Sequence, residues 1–346
     1  MIRFVLALLA LLCLTPFAQA ASFDCSKAAT SFEKAICSHP DLSAKDEVLA
    51  QAYATALGGL SADAAASVKA DQHGWLDYAS RICSDDGQPI STLYTDDQAT
   101  CLGGEFASRT SELEASRMQG GYRFYPVEKF LVEKDPDSDT NSYNKVATKH
   151  FLTVKIDRAD AFAAAFNAMT EQLRLDNDAQ MGEDAPLFDK AGNLAKGDTS
   201  ADIDVSTTVK EVNSSRIMLE TDTYWYGHGA AHGNYGTTYS HFLIAEARPL
   251  EASDVFKAKG WQKQFTALVI KQAEADLGDE YQGDDSSGDL GKVIVDPSRW
   301  DFTDAGISVH FNPYEVAAYA RGEVDVMVSW NDLADLVTDT AQNLSY

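Results

Sequence analysis

From residue 21 to about residue 118 the apolar positions recur at helical spacing. Ala29, Phe32 and Ile36 share one face, and Leu49, Tyr53 and Leu57 follow at i+4 intervals behind Ser43 and Asp46, a pair that reads as a capping box. Val68, Gln72, Trp75, Leu76, Ala79 and Ile82 line a third face; Leu102, Phe106 and Leu113 line a fourth, after a polar loop from Asp85 to Asp97. This stretch predicts four short helices and almost no strand.

From about Tyr122 the period changes. Phe151 to Ile156 reads as a strand and Ala161 to Leu175 as a helix, followed by an Asp/Gly-rich stretch, Asp176 to Asp202, expected to be a long loop. Alternation in Asp202 to Val212 and Ile217 to Trp225 predicts two strands joined at Asn213-Ser214-Ser215, and Thr237 to Ala247 predicts a third. Gln262 to Leu277 is helical, with Phe265, Leu268, Val269 and Ala273 on one face, and Ile307 to Phe311 and Val324 to Val328 alternate as half-buried strands do. The expected fold class is α+β. A small all-α domain over residues 21–118 precedes an α+β domain with an antiparallel sheet over 119–346.

Residues 1–20 read as a removable signal peptide: Arg3, an apolar run from Phe4 to Leu12, and an Ala18-Gln19-Ala20 ending. No later apolar stretch is long enough to span a bilayer, so stable membrane insertion is not expected. The exported chain keeps Cys25, Cys37, Cys83 and Cys101, an even number that implies two disulfides in an oxidising compartment. Three pairings are open. The favoured one joins Cys25 to Cys37 and Cys83 to Cys101, because each pair flanks one predicted helix start or loop. A four-cysteine zinc site is disfavoured by the absence of any C-x-x-C spacing.

The 28 Lys and Arg stand against 53 Asp and Glu, a net charge of −25, or −26 once Arg3 leaves with the leader. Both predicted domains are acidic, so the charge belongs to folded surface. Such a chain is repelled by nucleic acid and anionic membranes, and either a cationic partner or simple solubility explains its acidity. Candidate chemistry concentrates in Tyr224 to Gly233. His228 and His232 are four apart, a zinc-binding spacing on a helix, yet glycines surround them and no Glu follows the first His. The preferred reading is a turn presenting aromatic and imidazole groups to a partner, with an envelope hydrolase or deacetylase auxiliary using a His228/His232 metal site, or a non-catalytic envelope sensing or structural protein, as the alternatives. Asp135 to Asn141 imitates a calcium loop but has Thr140 where glycine is needed and Val146 where glutamate is needed, so a solvated linker is expected. Asp284 to Asp289, and Asp176, Asp178, Glu183 and Asp184, are read as exposed acidic loops. No G-x-S-x-G and no glycine-rich phosphate loop is present, and neither enzymatic activity nor a cofactor is expected.

Phe23 to Ala28, Glu33 to Cys37, Asp41-Leu42, Asp46, Leu49 and Tyr53, then Gln72, Trp75-Leu76, Arg81, Cys83, Cys101-Leu102, Phe106, Arg109 and Leu113, together resemble the LprI-type lysozyme inhibitor family. Tyr226 to Gly233, Asp254-Val255-Phe256 and Phe311 to Gly322 resemble the lysozyme-binding domain of the anti-sigma factor RsiV, also found beside cell-wall deacetylase domains. Ala318 departs from the proline usual in that second family. The resemblances imply a periplasmic or secreted, non-catalytic protein that binds and inhibits a basic, c-type lysozyme. Tyr226, His228, His232, Pro313, Tyr314 and Tyr319 are the candidate partner-binding residues.

Overall fold

The computed structural model describes residues 21–139, 142–182, 200–284, 286 and 288–346. The predicted leader, Thr140 and Asn141, and Glu183 and Asp184 lie outside the described residues. Four helices come first: α1 (Ser31–Ser38), α2 (Pro40–Leu57), α3 (Ala62–Ile82) and α4 (Asp96–Leu113). They are not all short, since α3 runs 21 residues. Ser43 and Asp46 do not cap a helix. Pro40, with φ suited to a first turn, starts α2 earlier and leaves Ser43 buried inside it, its hydroxyl donating to the Ile36 carbonyl. Capping boxes form instead at Thr30 with Glu33 on α1 and at Thr95 with Gln98 on α4.

Disulfides join Cys25 to Cys37 and Cys83 to Cys101, as favoured from the sequence. Trp75, Phe106, Leu102, Val68 and Ala79 form the core beside them, whereas Leu76, placed on that face by its spacing, is 40% exposed. The same core takes in Val132, with Phe130, Tyr125 and Val146 packed against it. All four residues lie in the first two long strands of the main sheet.

That sheet has seven strands in sequence order: β1 (Met118–Gln119), β2 (Tyr122–Lys134), β3 (Val146–Ile156), β4 (Ala201–Val212), β5 (Arg216–Gly227), β6 (Asn234–Leu243) and β7 (Arg248–Pro249). Neighbours are antiparallel except β3 and β4, which run parallel because the helix α5 (Ala161–Met181) crosses between them. The polar stretch read as a loop from Asp176 to Asp202 is therefore partly regular. Helix α5 carries Asp176 and Asp178, and β4 already includes Asp202. The third predicted strand starts earlier and stops at Leu243, with a turn before Arg248.

The remaining chain forms α6 (Ala252–Val255), α7 (Trp261–Leu277), α8 (Asp289–Ile294), a three-stranded antiparallel sheet of β8 (Trp300–Phe302), β9 (Gly306–Phe311) and β10 (Val324–Ser329), and α9 (Trp330–Leu333). Phe256, Trp261, Phe265 and Trp300 make its aromatic centre, Phe256 stacking on Trp261 at 4.1 Å between centroids. Two buried polar side chains fasten this unit to the main sheet. Arg216 on β5 donates to the carbonyls of Leu344 and Phe302, and His241 on β6 bonds the Trp300 carbonyl at 2.7 Å. Among the described residues no helix is long and apolar enough to cross a membrane.

Candidate partner-binding surface

The ends of β5 and β6 and the segment between β9 and β10 meet at one rim of the molecule. Cross-strand register puts Tyr224 opposite Tyr235, so both rings leave the same face of the sheet. Tyr319 reaches them from the β9–β10 connection. Its ring stacks on His232 at 4.1 Å, lies 5.7 Å from Tyr235 and 5.3 Å from Tyr314, and its hydroxyl donates to the Gly233 carbonyl at 2.7 Å. Tyr319 is thus the hub of an aromatic patch in which Tyr224, Tyr235 and Tyr314 are all exposed. Exposed tyrosines gathered in this way are apolar anchors with polar tips, the composition of protein-docking centres.

The backbone is shaped to permit this gathering. A Cβ on Gly233 would stand 2.6 Å from the Tyr224 ring, and one on Gly236 would stand 2.8 Å from the Asn312 amide, so neither position accepts a side chain without displacing its neighbour. Asn312 in turn accepts from the Thr237 N–H at 2.8 Å, tying β6 to the start of the tyrosine-bearing connection. Tyr314 has φ of +74°, one of two non-glycine residues with positive φ among those described, and it is 62% exposed. A bulky residue in the left-handed region at the surface is a locally strained conformation.

The six predicted residues divide into two groups. His232, Tyr314 and Tyr319 come together in the patch, with Pro313 next to Tyr314 in the chain. Tyr226 and His228 do not join them. They stand 5.9 Å apart by ring centroid on the neighbouring side of the β5 end, where the His228 Nδ1–H donates to Asp135 at 2.6 Å and Nε2 lies 3.2 Å from an Asp202 oxygen. The two histidines are not arranged as a metal pair, because His232 is committed to Tyr319 and His228 to the two carboxylates. Asp135, read as part of a solvated linker, is buried instead. Its carboxylate takes His228, the Ser200 hydroxyl and the Asp137 N–H, and these bonds hold its pKa below the usual range.

Tyr224 and Tyr235 escaped sequence reasoning as members of the patch, although both sit within or beside the Tyr224 to Gly233 string. Carboxylates border the rings. Asp222 and Glu323 both accept from the Thr237 hydroxyl at 2.9 Å, and burial raises the Asp222 pKa. Asp204 stands directly across from Tyr224 in the β4–β5 pairing.

Comparison with known proteins now adds to this geometry. Residues 25–113 match the family model described as Lysozyme inhibitor LprI. The LprI-like segment covers all four helices and both disulfides. Residues 253–331, which contain the Tyr314–Tyr319 connection, match a second model, described as Protein of unknown function (DUF3298). A DUF3298 family crystal structure from Bacteroides fragilis is similar at 15% identity and a TM-score of 0.44, over 66% of this chain and 99% of that one. Another from Pseudomonas aeruginosa is similar at 14% identity and a TM-score of 0.46, over 66% and 98%. No curated protein matches the sequence. The disulfides and the LprI-like segment together point to an extracytoplasmic location.

Proposed function

We propose that this protein is exported to the periplasm or beyond, binds a c-type lysozyme and inhibits it, without turnover of its own. The match of residues 25–113 to a lysozyme inhibitor family carries the reading. Two features of the molecule support it. A net charge of −25 steers a strongly basic enzyme toward it and accelerates the encounter. The Tyr224–Tyr235–Tyr314–Tyr319 patch then offers the desolvated aromatic centre that a long-lived complex needs, with carboxylates at its border for the lysines and arginines of the partner. Inhibition follows if the bound patch or the helical segment covers the sugar-binding cleft.

Titration of the purified protein into lysozyme acting on bacterial cell walls tests this directly. Lysis should fall to zero at stoichiometric excess and calorimetry should detect a complex that weakens with salt. Undiminished lysis at excess protein, with no heat of binding, would sink the proposal.

A further inference from the structure

A cluster of buried ionisable groups lies at the seam where α4 crosses β2 and β3. Arg109 on α4 is wholly buried, and its guanidinium donates to Gln72 at 3.0 Å, to Glu112 at 3.3 Å and to one oxygen of Glu128 on β2. The other oxygen of Glu128, buried, has no hydrogen-bond partner among the described residues. It faces His150 Nε2 on β3 at 3.8 Å, an ion-pair separation too long for a hydrogen bond, and that nitrogen has no hydrogen-bond partner among the described residues either. The opposite ring nitrogen of His150, Nδ1, donates to Asp204 at 2.8 Å, and Phe130 stacks on the ring at 4.7 Å. Two buried ligand atoms are therefore aimed at one point, held there by charge alone with no hydrogen bond to either.

We propose that Glu112, Glu128 and His150 bind a zinc ion at this seam, with a fourth position open toward the adjoining cavity. One ligand atom from each residue lies within 4.8 Å of the other two. Shifts of less than about 1 Å bring all three to bond lengths of about 2.0–2.2 Å. The surroundings suit a metal rather than a chance meeting of charges. Asp204 takes the His150 Nδ1–H and so leaves Nε2 as the atom that would meet the metal, the carboxylate–histidine–metal arrangement, and Arg109 orients Glu128 through its second oxygen. Without zinc, burial lowers the His150 pKa but the Asp204 and Glu128 carboxylates outweigh it and raise the value to about 10, so zinc would displace the Nε2 proton; the carboxylates of Glu112, Glu128 and Asp204 then outnumber the Arg109 guanidinium by two charges, which one divalent cation balances. The adjoining cavity of about 440 Å³ is lined by Glu112, His150, Asp204 and Ser206 and gives the ion a route in and room for a bound water. Glu112 comes from the LprI-like segment and the other two ligands from the sheet, so the ion would clasp the two regions together. This site is independent of the lysozyme reading.

The test is zinc titration of the full mature protein after dialysis against chelator. Calorimetry should give one zinc per chain at micromolar affinity or tighter. Glu112→Gln, a ligand at the rim that leaves the buried Arg109–Glu128 pair intact, should weaken binding at least about tenfold, and Asp204→Asn, which removes the carboxylate that holds His150 and no ligand, about 10- to 100-fold. NMR of the His150 ring should show zinc on Nε2. A wild-type protein that takes up no zinc, with His150 protonated at both nitrogens, would overturn the proposal. So would zinc binding that survives Glu112→Gln and Asp204→Asn but is lost in His228→Asn.

Discussion

Replacing Tyr314 by glycine separates the backbone from the ring. A non-glycine residue in the left-handed region costs about 1–2 kcal/mol, and Tyr314 holds φ of +74°. Glycine removes that strain. Against this stand the loss of the tilted contact with Tyr319, at 5.3 Å between centroids, worth about 0.5–1.5 kcal/mol, and the extra freedom glycine gives the unfolded chain, about 0.5–1 kcal/mol. The sum lies within about 1 kcal/mol of zero, so urea unfolding of Tyr314→Gly should match wild type closely. Tyr314→Ala loses the same ring but keeps the strain, and should unfold about 1 kcal/mol more easily than the glycine variant. If the ring is a docking anchor, both variants lose about 2 kcal/mol or more of lysozyme binding, roughly a 30-fold rise in Kd by calorimetry. An alanine variant as stable as the glycine variant would refute the backbone argument. Unchanged lysozyme affinity in both would refute the assignment of the patch.

Three further outcomes are expected. Replacing either disulfide pair with serines should cost about 3 kcal/mol in the chain-entropy picture, the crosslinked residues being 12 and 18 apart, and denaturant unfolding of each double variant measures it. Arg109→Met should cost about 3–5 kcal/mol by the same measurement, because it strands Glu128 as an unpaired buried charge while filling the volume of the lost side chain. His241 is fully enclosed between Arg216 and the Trp300 carbonyl, and burial with the neighbouring guanidinium pushes its pKa down to about 3. The unfolded chain then binds a proton that the folded one refuses, so stability is lost as pH falls from about 6.5 toward 3, at up to about 1.4 kcal/mol per pH unit from this residue; His241→Gln should flatten that slope in unfolding curves recorded across the range.

What the sequence disclosed and what it hid follow from the range of the interactions concerned. Local period placed the four helices and the strands around Phe151, Val205 and Val326, because burial of one face is written every second or every third and fourth residue. The pairing of cysteines was open to reasoning for the same local reason. Strand β2 has no clean alternation in the sequence because apolar groups stand on both its faces: Phe130 and Val132 join the helical core and Phe124 meets Phe166 of α5, while Leu131 packs with Phe151, Ile203 and Val205. The Ser43–Asp46 box failed because a proline three residues earlier offered a better start. Tyr314 and Tyr319 could be singled out only by resemblance; their convergence with Tyr224 and Tyr235 depends on contacts spanning some 80 residues. The Arg109–Glu128–His150 seam joins residues from three elements and has no sequence signature at all.

The seam and the patch are nevertheless connected through one face of the sheet. His150 pairs with Asp204 across β3 and β4, Asp204 with Tyr224 across β4 and β5, and Tyr224 with Tyr235 across β5 and β6. Directly opposed residues share a face, and three strand spacings of about 4.8 Å put the ends of this row roughly 14 Å apart. A protein partner burying about 800 Å² on each side covers a footprint wider than that. A lysozyme centred on the tyrosines would therefore also reach the β3–β4 pair beside α4, bringing the LprI-like helices inside the same interface. If the proposed complex forms there, one lysozyme would span both regions, and neither would need a separate ligand.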